Sequence, residues 1–134
     1  MASRGCEVVD RAAEHPVDLA VAMRWLGGDR HLLSELVSIF VDDGPKRLQA
    51  IRAALIASDV RQVEHVAHSL KGSAAILGAT RLQTAALALE EAAHDGHTEN
   101  GSDLVAQIDR ELARVMAFFA DPGWTDRLDL EATS

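Results

Sequence analysis

Between Val63 and Leu77 apolar residues return at the three- and four-residue spacing of a helix: Val63, Val66, Ala67, Leu70, Ala74 and Leu77. A strand, whose side chains alternate with period two, cannot gather these on one face. The stripe therefore specifies an amphipathic helix with one side against a core, and it fixes what the other side presents. At about 100° per residue, His68 points away from the stripe. Lys71 falls roughly 60° to one side of His68 and Gly72 roughly 40° to the other, one turn on. An imidazole, a cation and a missing side chain share one patch, with the ring in water.

Glycine in mid-helix costs about 1 kcal/mol relative to alanine, so Gly72 implies close approach of something large to the ring. Ala75, a further turn along, keeps the same face low. A bare surface beside an exposed histidine suits a docking protein. The ring nitrogen of neutral imidazole is a nucleophile, and an ammonium at Lys71 would offset the charge of a transferred phosphoryl group. The patch reads as a phosphoryl acceptor.

The remaining chain predicts more helices and no strands. Asp18 to Leu26 form a short leading helix, with Pro16 placed for a first turn and Gly27-Gly28 as a stop. Asp29 caps a helix carrying Leu32, Leu33, Leu36, Val37, Ile39 and Phe40. Asp42-Asp43-Gly44-Pro45 interrupts it, but Leu48, Ile51, Ala54 and Leu55 resume the period at once, so one helix kinked near Pro45 is expected. Ser58-Asp59 turn the chain into the His68 helix, and Gly78 ends that helix. Thr80 to His94 then return with Leu82, Ala85, Ala86, Leu89 and Ala93 inward. After the polar loop 95–101, Ser102 or Asp103 caps a last helix carrying Leu104, Val105, Ile108, Leu112, Val115, Met116 and Phe119. Asp121-Pro122-Gly123 closes it, leaving a tail in which Trp124 folds back.

The hairpin makes one more residue readable. If the chain reverses about residue 79, His68, eleven residues before, lies level with Glu90, eleven after. A carboxylate there can accept a hydrogen bond from one ring nitrogen and leave the other free to attack. Glu91 and Gln83 are weaker candidates for that place.

The run His68-x-Leu70-Lys71-Gly72-Ser73-Ala74-x-x-x-Gly78-Ala79 resembles the signature of histidine-containing phosphotransfer (HPt) domains, and a looser resemblance extends from about Val17 to Phe119. It implies an all-α, antiparallel four-helix bundle with a short N-terminal helix packed at one end. The division expected is a flexible N-terminus over 1–15, the bundle over 16–120 and a C-terminal tail over 121–134. The resemblance also implies that His68 takes a phosphoryl group from an aspartyl-phosphate on a receiver domain and passes it to another. Lys71 and Glu90 would act beside it. Arg61, Glu64, His65, Gly72 and Ala75 would form the docking surface, with Arg81 flanking its far end. The partner is a receiver domain of a response regulator or hybrid histidine kinase, which brings its own Mg²⁺. No cofactor, metal or ATP site is expected in this chain, which would be a monomeric carrier and not an enzyme.

Composition sets the outer limits. The chain has 134 residues, one domain by size. A net charge of −8 argues against a nucleic-acid surface, which needs clustered Lys and Arg. A single cysteine, Cys6, excludes an internal disulfide and fits a reducing compartment. No run of 18 apolar residues and no signal-like segment is present, so a cytoplasmic protein acting without a membrane is expected.

Four competing readings are weaker on the residues. His65 and His68 with Glu64 offer too few ligands for zinc and match no His-Glu-x-x-His order. Gly72 to Gly78 lacks the order of a phosphate-binding loop. A kinase dimerisation segment would have an acidic residue after the histidine and a proline soon after, where this chain has Ser69 and no proline between His68 and Pro122. A bundle adaptor that never carries phosphate would not need the histidine, lysine and glycine together. His15, His31, His94 and His97 read as ordinary surface histidines, and Ser73, about 140° round from His68, as a bond to the neighbouring helix.

Overall fold

The computed structural model describes residues 15–133, with side chains as far as Leu128. Among the described residues there are helices and no strands: α1 (Leu19–Trp25), α2 (Arg30–Ile56), α3 (Val60–Ile76), α4 (Thr80–His94), α5 (Gly101–Ala120) and α6 (Trp124–Thr133). Short connections make α2 to α5 successive antiparallel neighbours. α3 packs on α2 and on α4, and α5 packs on α4 and closes back on α2. The apolar stripes meet inside. Among the described residues, Leu33, Ile51, Leu70, Leu77, Leu82, Leu89 and Ile108 are the largest fully buried side chains, and no polar or charged residue is buried with them.

Aspartates start three of the helices by accepting the orphan N–H groups of a first turn. Asp18 accepts from Ala20 and Val21, Asp29 from Leu32, and Asp59 from Gln62. At α1 this capping overrides Pro16, and the helix begins at Leu19. The last bundle helix begins at Gly101 after Asn100, two or three residues earlier than the capping residues Ser102 and Asp103 suggest. Gly101 is buried against Leu55, whose Cδ2 would lie 3.0 Å from a methyl added there. Packing at the crossing outweighs side-chain capping.

α2 is one helix through Pro45. Pro45 lies on the exposed face, where water can satisfy the carbonyl that loses its helical donor. Gly44 is buried, with Leu112 Cδ1 3.1 Å from the position a methyl would take, so it marks the close crossing of α2 and α5.

The expected tail after Asp121 is instead a helix. Pro122-Gly123 breaks α5, and α6 folds back onto α1. Trp124 is buried and meets Phe119 edge to face, with centroids 5.3 Å apart. Leu128, one turn further, is also buried. These two residues form an apolar stripe too short to be distinguished from a loop by period alone. The flexible segment expected over 1–15, with Cys6, lies outside the described residues up to position 14. His15 itself accepts a bond from Arg127 Nη1 at 3.3 Å.

The α3–α4 turn fixes the site above it. Gly78 has φ +72°, and its carbonyl accepts from Asp18 N at 2.8 Å, joining α1 to the turn. A methyl at Gly78 would collide with the Asp18 carbonyl, whereas one at Gly72 would meet nothing within 4 Å. Gly78→Ala is expected to cost about 2 kcal/mol or more in urea unfolding. Gly72→Ala is expected to raise stability by about 0.5–1 kcal/mol, because it removes helical glycine without a clash.

Candidate functional site

The site stands on the tightest seam of the bundle. α3 turns Ala67, Leu70 and Ala74 inward and α4 turns Ala85, Ala86, Leu89 and Ala93 inward. Alanine-rich faces let two helices approach closely, so side chains on the rim of one reach those on the rim of the other. His68 and Glu90 meet across this seam, Nδ1 to Oε2 at 2.7 Å. His68 is 65% exposed and Glu90 only 16%. The other carboxylate oxygen, Oε1, is 2.6 Å from Lys71 Nζ.

One carboxylate thus holds two partners. Burial pushes the Glu90 carboxyl up, but the hydrogen bonds and charges of Lys71 and His68 outweigh it and leave its pKa below the ordinary 4.5. An ionised carboxylate only accepts, so the His68 nitrogen facing it carries the proton, and in the neutral ring Nε2 is then the lone-pair nitrogen. Lys71, expected as an ammonium beside the ring, is bonded to Glu90.

Around His68, Arg61, His65 and Gly72 are exposed, and Glu64 and Ala75 are half-buried. Leu87, 38% exposed on α4, lines the groove that also contains Lys71 and Glu90 and adds an apolar contact not anticipated. Arg81 extends from α4 to Glu111 of α5 at 3.5 Å, a bond within the bundle. Ser73 bonds the neighbouring helix as expected: Arg47 Nη1 of α2 donates to Ser73 Oγ at 2.6 Å and to the Ser69 carbonyl at 3.3 Å. Glu64 is paired with His94, Oε2 to Nδ1 at 2.9 Å. His94 had read as an ordinary surface residue, although it stands level with Glu64 about the reversal point that places Glu90 level with His68.

Among the described residues, no group of three or more His, Cys, Asp or Glu side chains is placed to hold a metal ion, and no helix is long and apolar enough to cross a membrane.

An exposed histidine on α3, bonded to a carboxylate on α4 in a helical bundle, fits a phosphotransfer domain, and comparison with known proteins agrees. The family model of the Hpt domain matches residues 35–118, more than half of the chain, which belongs to this family. Histidine-containing phosphotransfer protein B (HptB) from Pseudomonas aeruginosa PAO1 has a similar crystal structure, with a TM-score of 0.73 and 32% sequence identity over 78% of this chain and 91% of that chain. No curated protein gave a significant match. The chain accordingly has a histidine phosphotransfer role in two-component signalling.

The bridge predicts a pH signature. Because folding lowers the Glu90 pKa, its ionised form contributes stability that is fully present above about 4.5 and is lost as pH falls through the folded-state value. Glu90→Gln is expected to be less stable by about 1 kcal/mol at neutral pH. In thermal melts across pH, the difference from the native protein should close below about pH 4.5.

Proposed function

We propose that this chain is a phosphorelay intermediate in which His68 accepts a phosphoryl group from the aspartyl-phosphate of one receiver domain and delivers it to another. The observation that carries the reading is an exposed imidazole whose Nδ1 lies 2.7 Å from the Glu90 carboxylate, an arrangement that leaves Nε2 of the neutral ring as the nucleophile. The Nε2 lone pair attacks phosphorus, and the P–O bond to the receiver aspartate breaks with its electron pair leaving on that carboxylate. The ring becomes a phospho-imidazolium whose Nδ1 keeps its proton, hydrogen-bonded to Glu90, so the carboxylate faces the positive charge that develops. Lys71 keeps Glu90 ionised and adds positive charge near the phosphoryl oxygens. Gly72 and Ala75 leave room for the partner, and Arg61, Glu64 and His65 surround it.

Most of the acceleration is positioning, and the partner's Mg²⁺ and acidic pocket supply the remaining charge stabilisation. The protein acts as a monomeric carrier in the cytoplasm, without ATP hydrolysis and without binding nucleic acid. Direction of flow follows from the relative stability of phosphoryl groups on the two receivers and on His68.

Incubation with a panel of phosphorylated receiver domains and Mg²⁺, read by intact mass, is expected to place one acid-labile phosphate on the native chain and none on His68→Gln. Label on neither protein, with active receivers and a folded bundle, would instead support an adaptor that binds without carrying phosphate.

A further inference from the structure

The α3–α4 seam holds a second imidazole–carboxylate pair that the transfer chemistry leaves unused. Glu64 and His94 are joined through Oε2 and Nδ1 at 2.9 Å, the same atoms that join Glu90 and His68 at 2.7 Å, with the residue types exchanged between helices. Glu64 lies one turn before His68 on the same face of α3, and His94 one turn after Glu90 on α4. The two pairs differ in what balances the carboxylate. Glu90 is held by the permanent charge of Lys71, whereas the partner of Glu64 is an imidazole 72% exposed to water. In the second pair, loss of the imidazole proton leaves a carboxylate without a lysine beside it.

The charged groups around His94 are Glu64 and Lys71 from α3, Glu90 and Glu91 from α4, and Asp95 in the turn that follows. Further round the loop, His97 lies 3.8 Å from Glu99. On α3, Arg61 precedes Glu64 by one turn. Carboxylates predominate in this groove. The hydrogen bond that His94 donates to Glu64 raises the His94 pKa above its ordinary 6.5, assisted by the charges of Glu64, Asp95 and Glu90. The imidazolium therefore persists toward neutral pH.

We propose that the Glu64–His94 pair is a charge gate on receiver docking, an inference that rests on the phosphotransfer reading of His68. With His94 protonated the pair is neutral, and an anionic phosphoryl group approaches His68 past a balanced rim. With His94 neutral, Glu64 is an uncompensated anion one turn from the acceptor and opposes that approach. The gate moves a single proton and makes no bond to phosphate. It acts on encounter and binding, so it changes the receiver concentration needed for transfer and leaves the maximal rate unchanged.

The test is single-turnover transfer from a phosphorylated receiver to the full chain, across about pH 6 to 9, with rate measured against receiver concentration. For the native protein the half-saturating concentration is expected to rise about two- to fivefold as His94 loses its proton, the effect of one solvent-exposed charge. Glu64→Gln should stay at or below the native low value at every pH, because its rim is positive with His94 protonated and neutral without that proton. His94→Gln should show the high value at every pH, and the double variant should return to the low one. High salt should compress all these differences. A Glu64→Gln protein that reaches the native high value at alkaline pH, or a His94→Gln protein indistinguishable from native, would overturn the gate. Far-ultraviolet circular dichroism melts separate these outcomes from misfolding. The acceptor reading is scored independently: label on His68→Gln would refute that reading, whereas an unchanged pH profile in Glu64→Gln with label confined to His68 would refute the gate alone.

Discussion

Everything at the candidate site depends on how closely α3 and α4 pack. Ala67 and Ala74 on one helix and Ala85, Ala86 and Ala93 on the other keep the seam narrow, while Leu70 and Leu89 fill the space between layers. A narrow seam lets a glutamate on one rim reach a histidine on the other without ordering a long flexible side chain in solvent. Gly78 sets the register of the two helices, because its left-handed conformation reverses the chain where Asp18 seals the turn. The Glu90 carboxylate is the chemical product of that register. It is nearly buried, ionised by virtue of Lys71, and aimed at one nitrogen of His68.

Two charge pairs on the seam are then unequal in a useful way. A lysine-anchored carboxylate does not change with pH in the physiological range, so the orientation of His68 is constant. A histidine-balanced carboxylate does change, so the rim beside the acceptor responds to protons. Constancy at the acceptor and variability at its rim arise from one hairpin, through the choice of partner for each glutamate.

The parts of this architecture that follow short periods were legible from residues alone. The α3 stripe from Val63 to Leu77 and the α4 stripe from Leu82 to Ala93 are buried as their spacing requires, and the resemblance across His68 to Ala79 pointed to the family to which the chain belongs. Equal distance from the turn brought out Glu90. The same arithmetic applies to Glu64 and His94, but a histidine without a neighbouring motif carries no signal that it will be paired. α6 escaped because Trp124 and Leu128 are a single repeat after Pro122-Gly123, and only packing on α1 makes the helix worthwhile. The position of Lys71 on its helix was readable, whereas its engagement by Glu90 required the distance between two rims. Arg47 reaches Ser73 from 26 residues away, a separation that no local pattern encodes.

The central claim is that Glu90 holds the proton on Nδ1 of His68 and so directs phosphate to Nε2. Nitrogen-15 NMR of the His68 ring, recorded before and after phosphorylation, tests it most directly. The account predicts an Nδ1–H tautomer in the free protein and a phosphorus–nitrogen coupling at Nε2 in the phosphorylated one. An Nε2–H tautomer, or phosphate on Nδ1, would contradict it.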